Sequence, residues 1–141
     1  MKITLCGSVS FAQQFVDVFD QLKKLGHEPL MHETLFQLAE GSANKLLEEI
    51  SADHAHAKRK YGFIKWWHDC IMRSDAILVL NFDKNGIKNY IGGNTLMEMG
   101  FAHVNDKTIF LFNHPPEDVS YADEIRTMTD VVINGDLSKL S

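Results

Sequence analysis

Five short apolar runs divide the chain, and their length and composition are typical of β-strands. They cover residues 2–6, 28–31, 76–80, 108–112 and 131–133. The run Ala76–Leu80 contains no polar residue, which indicates a parallel strand that is covered on both faces. The segment after the first run instead carries apolar residues at helical spacing, namely Phe15, Val16, Phe19 and Leu22.

This alternation predicts an α/β protein with a five-stranded parallel sheet. The expected architecture is a flavodoxin- or Rossmann-like three-layer sandwich with strand order 2-1-3-4-5, the usual order for this connectivity. Residues 1–141 are expected to form a single domain, because the length suffices for one core and no linker or repeat interrupts it.

The segment between the second and third predicted strands is expected to be mainly helical. Helical pieces are predicted at 33–38 and 44–50, followed by a mostly helical stretch at 51–74 with Ser51 as its candidate cap. Apolar residues in that stretch keep helical spacing, namely Phe63, Ile64, Trp67 and Ile71. They are interpreted as core or interface residues.

The first strand ends in Gly7-Ser8, and Val9, Ser10 and Phe11 then lead into the first helix. Backbone N–H groups and a hydroxyl at a helix N-terminus suit a phosphate or a sugar hydroxyl. A plain tight turn with a serine cap is the alternative, and the sequence leaves both open. The chain has neither GxGxxG nor GxxxxGK[ST], so neither a dinucleotide site nor a P-loop is predicted.

A second polar segment follows the central apolar run and leads to Glu98. Asn81 opens it, Gly92-Gly93 come later, and Asn94 or Thr95 is the expected cap of the next helix. Ligands of open α/β sheets bind beyond the carboxyl ends of the strands, so Glu98 is expected beside such a crevice. A partly desolvated carboxylate there can attack or stabilise a sugar C1′. The alternative is a glutamate that only hydrogen-bonds the glycine-rich turn.

Asp69, with His68 beside it, is a candidate for a second acid group near a strand end. A carboxylate on a helix surface that makes a routine salt bridge is the alternative reading of this position. No metal site is predicted, because His54 and His56 are two residues apart and do not share a helix face.

The net charge of −5 gives no basic field, which argues against a nucleic-acid polymer as partner. No stretch reaches the roughly 20 apolar residues of a membrane helix, and no secretory signal is seen, so no membrane partner is expected. Cys6 and Cys70 are interpreted as buried free thiols, in agreement with a cytoplasmic location.

Together, these segments resemble the nucleoside 2-deoxyribosyltransferase-like superfamily, which also contains nucleoside 5′-monophosphate N-glycosidases. The resemblance rests on Gly7-Ser8 after the first strand, on the strand Asp75–Asn81, and above all on Gly92–Ala102. That last segment is similar to the family's glycine-rich turn followed by a Glu-x-Gly-x-Ala helix. The strand Lys107–Phe112 also fits the family.

The resemblance implies that Glu98 is the nucleophile that displaces a nucleobase from C1′. Asp69 stays the candidate for the second acid on the ground of its own position. The resemblance implies hydrolysis when water is the acceptor and transfer when a second base is. The predicted substrate-binding residues are Gly7, Ser8, Phe11, Asn81, Gly92, Gly93 and Asn94. The expected ligand is a small nucleoside or nucleotide, no cofactor is expected, and a homodimer or higher homo-oligomer is predicted.

Two positions depart from the family pattern. Six residues before the catalytic glutamate the transferases place Asp and the monophosphate hydrolases Ser, whereas this chain has Gly92. The family's second acid falls, in register, on Trp67 rather than on Asp69. Asn81, Asn89, Tyr90 or Asn94 are candidates for the missing polar contacts. These departures keep two alternatives open: a non-catalytic nucleotide-binding module, and an interaction protein with a vestigial pocket.

Overall fold

The structure is a computed structural model that describes residues 1–42 and 44–141. The strands are β1 (Lys2–Cys6), β2 (Glu28–Leu30), β3 (Ala76–Val79), β4 (Thr108–Leu111) and β5 (Val131–Val132). The α-helices are α1 (Ala12–Lys24), α2 (Thr34–Glu40), α3 (Asn44–Ala52), α4 (His54–Tyr61), α5 (Phe63–Met72), α6 (Gly93–Val104) and α7 (Ala122–Met128). Short 3₁₀ turns occupy Val9–Phe11 and Leu137–Lys139.

The five strands form one parallel sheet in the order β2-β1-β3-β4-β5, which confirms the predicted α/β fold and strand order. In the observed register, Thr4 of β1 lies between Leu30 on β2 and Ile77 on β3. Helix α5 packs on β1, and α6 packs on β3 and β4. All four residues of β3 are buried, as expected for a central strand in a sheet flanked by helices.

Four of the predicted strands end one residue later than the structure has them. The ladder closes at Leu30, Val79, Leu111 and Val132. Leu80 and Phe112, the next residues after β3 and β4, each still donate one backbone hydrogen bond to a neighbouring strand, at 2.8 and 2.9 Å. The apolar run therefore continues past the point where pairing on both sides stops.

The predicted helix cap at Ser51 is wrong. Ser51 lies inside α3, and the cap of α4 is Asp53, whose carboxylate accepts a hydrogen bond from the His56 N–H at 3.0 Å. The stretch 51–74 is not one helix, because Gly62 in left-handed conformation (φ 62°) separates α4 from α5.

Helix α6 begins at the glycine-rich turn without a side-chain cap. Its N-cap is Gly92 in extended conformation, and neither Asn94 nor Thr95 provides the predicted cap, because both already lie within the helix. The first backbone N–H groups of α6 are thus left without a capping side chain. Along the described parts of the chain, no helix has the length and apolar character needed to span a membrane.

Gly7 is fixed by its surroundings, and this predicts a costly substitution. Its φ is +155°, and an added Cβ would lie 2.8 Å from the Leu80 carbonyl oxygen and 3.2 Å from the Phe15 ring. We expect Gly7→Ala to lower the free energy of unfolding by about 2 kcal/mol, since the backbone at Leu80 has to shift. Urea denaturation measures the change.

The control for this substitution is Gly26→Ala, at another positive φ (+87°) where an added Cβ meets nothing within 4 Å. It carries backbone strain without a clash, at a cost of about 1 kcal/mol. Equal losses for the two variants would show that close packing around Gly7 adds nothing.

Candidate active site

A cavity of about 350 Å³ opens beyond the carboxyl ends of β1 and β3, and Glu98 lines it. We call it the Glu98 cavity. One rim comes from Gly7 and Ser8 after β1, and another from the turn that begins α6 at Gly92. This is the location at which ligands bind in open α/β sheets. Its volume falls within the range of small-molecule sites.

Glu98 lies in the cavity with a raised pKa and with one carboxyl oxygen that has no partner among the described residues. The residue is half-buried, and its Oε2 atom is buried without any hydrogen-bond partner among the described residues. Burial raises the pKa of Glu98 from 4.5 to about 8, and a hydrogen bond from Cys6 lowers this pKa in part. A buried carboxyl oxygen with no partner is costly, so it indicates a site where a ligand supplies the missing interaction.

Cys6 stands at the end of β1, directly against Glu98. The residue is fully buried, and burial together with the nearby Glu98 raises the pKa of the thiol well above its usual value. Cys6 therefore stays protonated and acts as a hydrogen-bond donor to the carboxylate. It is not a nucleophile in this environment, since the thiolate form is disfavoured.

We expect Cys6→Ala to raise the pKa of Glu98 further, because the charged form loses a donor worth about 1 kcal/mol. Cys6→Ser keeps a donor and should restore the original titration. The measurement is a ¹³C NMR titration of the glutamate carboxyls. Cys70→Ala, at a buried cysteine on α5 that does not line the Glu98 cavity, is the matched control. An unchanged Glu98 titration in Cys6→Ala would contradict this coupling.

Ser8 and Lys84 meet at the polar end of the cavity. The Lys84 ammonium donates a hydrogen bond to Ser8 Oγ at 2.8 Å, and it lies 5.3 Å from the centre of the Tyr90 ring. Ser8 Oγ also caps the 3₁₀ turn after β1, accepting a hydrogen bond from the Ser10 N–H. The predicted serine cap is therefore present, and in addition the hydroxyl faces the cavity.

Tyr90 fills the space beside Gly92. A Cβ on Gly92 would lie 2.6 Å from the Tyr90 hydroxyl and 3.1 Å from its ring. Gly92 and Tyr90 are therefore mutually dependent, because no side chain fits at position 92 while Tyr90 keeps this position. The polar group beside this turn of the cavity is thus a phenol from the preceding loop.

The opposite wall of the cavity is apolar and partly aromatic. Phe63 and Trp67 of α5 and Phe101 of α6 line it. The Trp67 indole is buried and its Nε1 donates a hydrogen bond to the Leu5 carbonyl oxygen at 2.9 Å, which ties α5 to β1. A fixed aromatic surface of this kind suits a flat heterocycle.

Most of the predicted site residues come together. The cavity is lined by Glu98 and by five of the predicted binding residues: Gly7, Ser8, Gly92, Gly93 and Asn94. Their functional roles stay predictions, whereas their common location is a property of the fold.

Three predicted site residues lie elsewhere. The Asp69 side chain is 74% exposed and approaches His68 at 3.5 Å, and it does not line the Glu98 cavity. Phe11 is buried in the core, with its ring edge against Phe82. Asn81 is fully buried, and its amide joins the ends of β3 and β4 by donating to two carbonyl oxygens and accepting from the Asn113 N–H.

Sequence reasoning missed Lys84 as a site residue and assigned the aromatic residues of α5 to core or interface. The pattern Lys84-Asn85-Gly86-Ile87 does carry a signal, because Asn-Gly between two pairing residues is the strongest short hairpin motif. The structure has this hairpin, with backbone hydrogen bonds in both directions between Lys84 and Ile87. Tyr90, one of the candidate replacement contacts, does line the cavity, whereas Asn89 borders a different one.

No protein-family model matches this sequence, and no curated protein matches it either. A solved structure shares the fold. It is a CMP N-glycosidase, BcmB, from Clostridium botulinum, with a TM-score of 0.52 and 15% sequence identity. The match covers 95% of this chain and 90% of that chain. At this identity the likeness shows the α/β fold alone, and the predicted family membership stays a prediction.

Proposed function

We propose that this protein breaks the N-glycosidic bond of a nucleoside or nucleoside 5′-monophosphate, with Glu98 as the nucleophile. The observation that carries the proposal is the buried Glu98 Oε2 atom, which has no partner among the described residues and lines a cavity of nucleoside size. The fold shared with a CMP N-glycosidase supports the same chemistry.

The two ends of the cavity match the two parts of a nucleoside. The aromatic surface of Phe63 and Trp67 suits the base, because stacking on a ring needs no particular hydrogen-bond pattern. Ser8, Lys84 and Tyr90 form the polar end, which suits the sugar and its substituents. Glu98 lines the same cavity, so a ligand that spans both ends brings C1′ towards its carboxylate.

In the proposed reaction a carboxylate oxygen of Glu98 bonds to C1′ while the bond from C1′ to the base nitrogen breaks. The base leaves with the bonding electron pair and takes up a proton from solvent, which gives a glycosyl ester of Glu98. Water or a second base then attacks C1′, releases the carboxylate and loses a proton. Hydrolysis or transfer results, according to the acceptor.

The raised pKa of Glu98 bears directly on this reaction. With a pKa of about 8 the free enzyme holds a mostly protonated carboxyl at neutral pH, and the nucleophilic form grows as the pH rises. Such a carboxylate is more basic than an exposed one, and few waters compete for it. The proposal therefore places the working form of the enzyme on the alkaline side of neutrality.

A non-catalytic nucleotide-binding module is the second candidate. It is favoured by the absence of a second carboxyl group along the cavity, where Glu98 is the single acidic side chain among the described residues. A retaining glycosidase pairs its nucleophile with a second carboxyl group roughly 5 Å away.

The test is incubation of the protein at pH 8 with nucleosides and their 5′-monophosphates, in ribo and deoxyribo forms, with free base followed by chromatography. Mass spectrometry of the acid-quenched protein looks for the glycosyl ester. Release of a free base with a glycosyl adduct on the peptide that contains Glu98 is the expected result. Ligand-induced thermal stabilisation without turnover over days would favour the binding module instead.

A further inference from the structure

The polar end of the cavity contains a cation, Lys84, that pairs with no carboxylate among the described residues. Lys84 is half-buried there, and among the described residues its ammonium contacts the neutral Ser8 hydroxyl and the face of the Tyr90 ring. No ion pair joins Lys84 to a carboxylate within residues 1–42 and 44–141 as described. In a chain with a net charge of −5, a sheltered and unpaired ammonium group marks a place prepared for an anion.

The loop that carries Lys84 holds it in a fixed position. Backbone hydrogen bonds of 3.0 and 2.9 Å join Lys84 and Ile87 across Asn85 and Gly86, both at positive φ, as in a type I′ hairpin. A few residues on, the Tyr90 N–H donates to the Phe82 carbonyl oxygen at 2.8 Å, which closes the loop onto the end of β3. Preorganisation of this kind lowers the entropic cost of binding.

The start of α6, which has no side-chain cap, forms the other side of the polar end of the cavity. Gly92 gives no side-chain cap, and Gly93 and Asn94 line the cavity with the first turn of a 12-residue helix. Unsatisfied N–H groups and the positive end of the helix dipole both favour an anion. The Tyr90 hydroxyl lies beside Gly92 and has no hydrogen bond to another described residue, so it is available as one more donor.

We propose that Lys84, Ser8 and the start of α6 form a phosphate subsite, and that the ligand of the Glu98 cavity is therefore a nucleoside 5′-monophosphate rather than a nucleoside. The choice of a nucleotide rests on the proposed function, whereas anion binding by these groups does not depend on catalysis. An ammonium, hydroxyls and backbone N–H groups together are the donors that bind a phosphate monoester.

The experiment compares one nucleoside with its 5′-monophosphate by isothermal titration calorimetry, with wild type, Lys84→Gln and Lys88→Gln. Lys88 is the matched control, because it is exposed on the same loop and does not line the Glu98 cavity. We expect Lys84→Gln to weaken monophosphate binding about 10- to 100-fold and nucleoside binding less than about twofold. Inorganic phosphate should compete with the monophosphate in wild type and much less in Lys84→Gln.

Ser8→Ala is a second variant, with an expected loss of about fivefold for the monophosphate alone. Urea denaturation of each variant checks that the fold is kept. Equal affinity of wild type for the two ligands, or equal losses for both ligands in Lys84→Gln, would overturn the subsite. A loss in Lys88→Gln as large as that in Lys84→Gln would do the same, since it would report only general charge.

The two proposals fail in different ways. Lys84-dependent monophosphate binding without any base release would leave the subsite standing and remove the enzymatic proposal. Base release at similar kcat/KM from nucleoside and monophosphate, unaffected by Lys84→Gln, would keep the enzyme and remove the subsite.

Discussion

Replacing Glu98 by glutamine is expected to lower the rate of base release by roughly 1,000-fold or more. The amide has nearly the shape of the carboxyl group, so the cavity is preserved while the nucleophile is lost. Initial rates of base release, measured by chromatography at pH 8 with the best substrate of the panel, give the comparison. At this pH a large part of the wild-type carboxyl is ionised, because its pKa is about 8.

Asp69→Asn is the matched control for this loss. Asp69 is an acid on the neighbouring helix α5, exposed and outside the cavity, and we expect its substitution to change the rate by less than about threefold. Base release in Glu98→Gln at the wild-type rate would remove Glu98 as nucleophile. A loss in Asp69→Asn as large as that in Glu98→Gln would instead restore the second acid that the sequence suggested.

The fold was predictable because its signal is local. The run Ala76–Leu80 is apolar without interruption, which is typical of a short strand buried on both faces. Once five strands alternate with helices, right-handed crossovers leave few possible strand orders. The break at Gly62 was not predicted, because a glycine inside a helical pattern is often tolerated and its left-handed conformation depends on context.

The candidate site was predictable only as far as topology determines it. Gly7, Ser8 and Gly92 had to meet at one end of the sheet, since each follows or precedes an element whose position the strand order sets. The direction in which each side chain points could not be predicted from topology. The Asn81 side chain bridges β3 and β4, and the Asp69 side chain points to solvent, although both residues were expected near the end of the sheet where the site lies.

Lys84 is a site residue that the sequence did not reveal. Its place in the cavity depends on a two-residue hairpin that folds the loop back over Ser8, and the sequence shows the hairpin motif but not this contact.

The predicted homo-oligomer and the cytoplasmic location stay predictions. The exposed Ile64 and Met97 at the edge of the cavity are where a second copy would first be sought.

The free energy of unfolding should fall by about 3 kcal/mol between pH 5 and pH 8 through Glu98 alone. The folded state holds the Glu98 proton with a pKa of about 8, against 4.5 for an ordinary glutamate. The folded state therefore binds more protons than the unfolded state across this range. Stability from this group is complete below pH 4.5 and is lost as the pH rises to 8.

Glu98→Gln isolates this contribution, because the amide does not titrate while all other groups remain. Urea denaturation of both proteins at pH 5, 6, 7 and 8 gives the difference in unfolding free energy at each pH. We expect that difference to shift steadily in favour of the variant, by about 3 kcal/mol over the series, so that the inactive protein is the more stable one at pH 8. Parallel pH profiles for the two proteins would mean that Glu98 titrates like an exposed carboxylate. The site would then lack the desolvated acid on which the proposed chemistry depends.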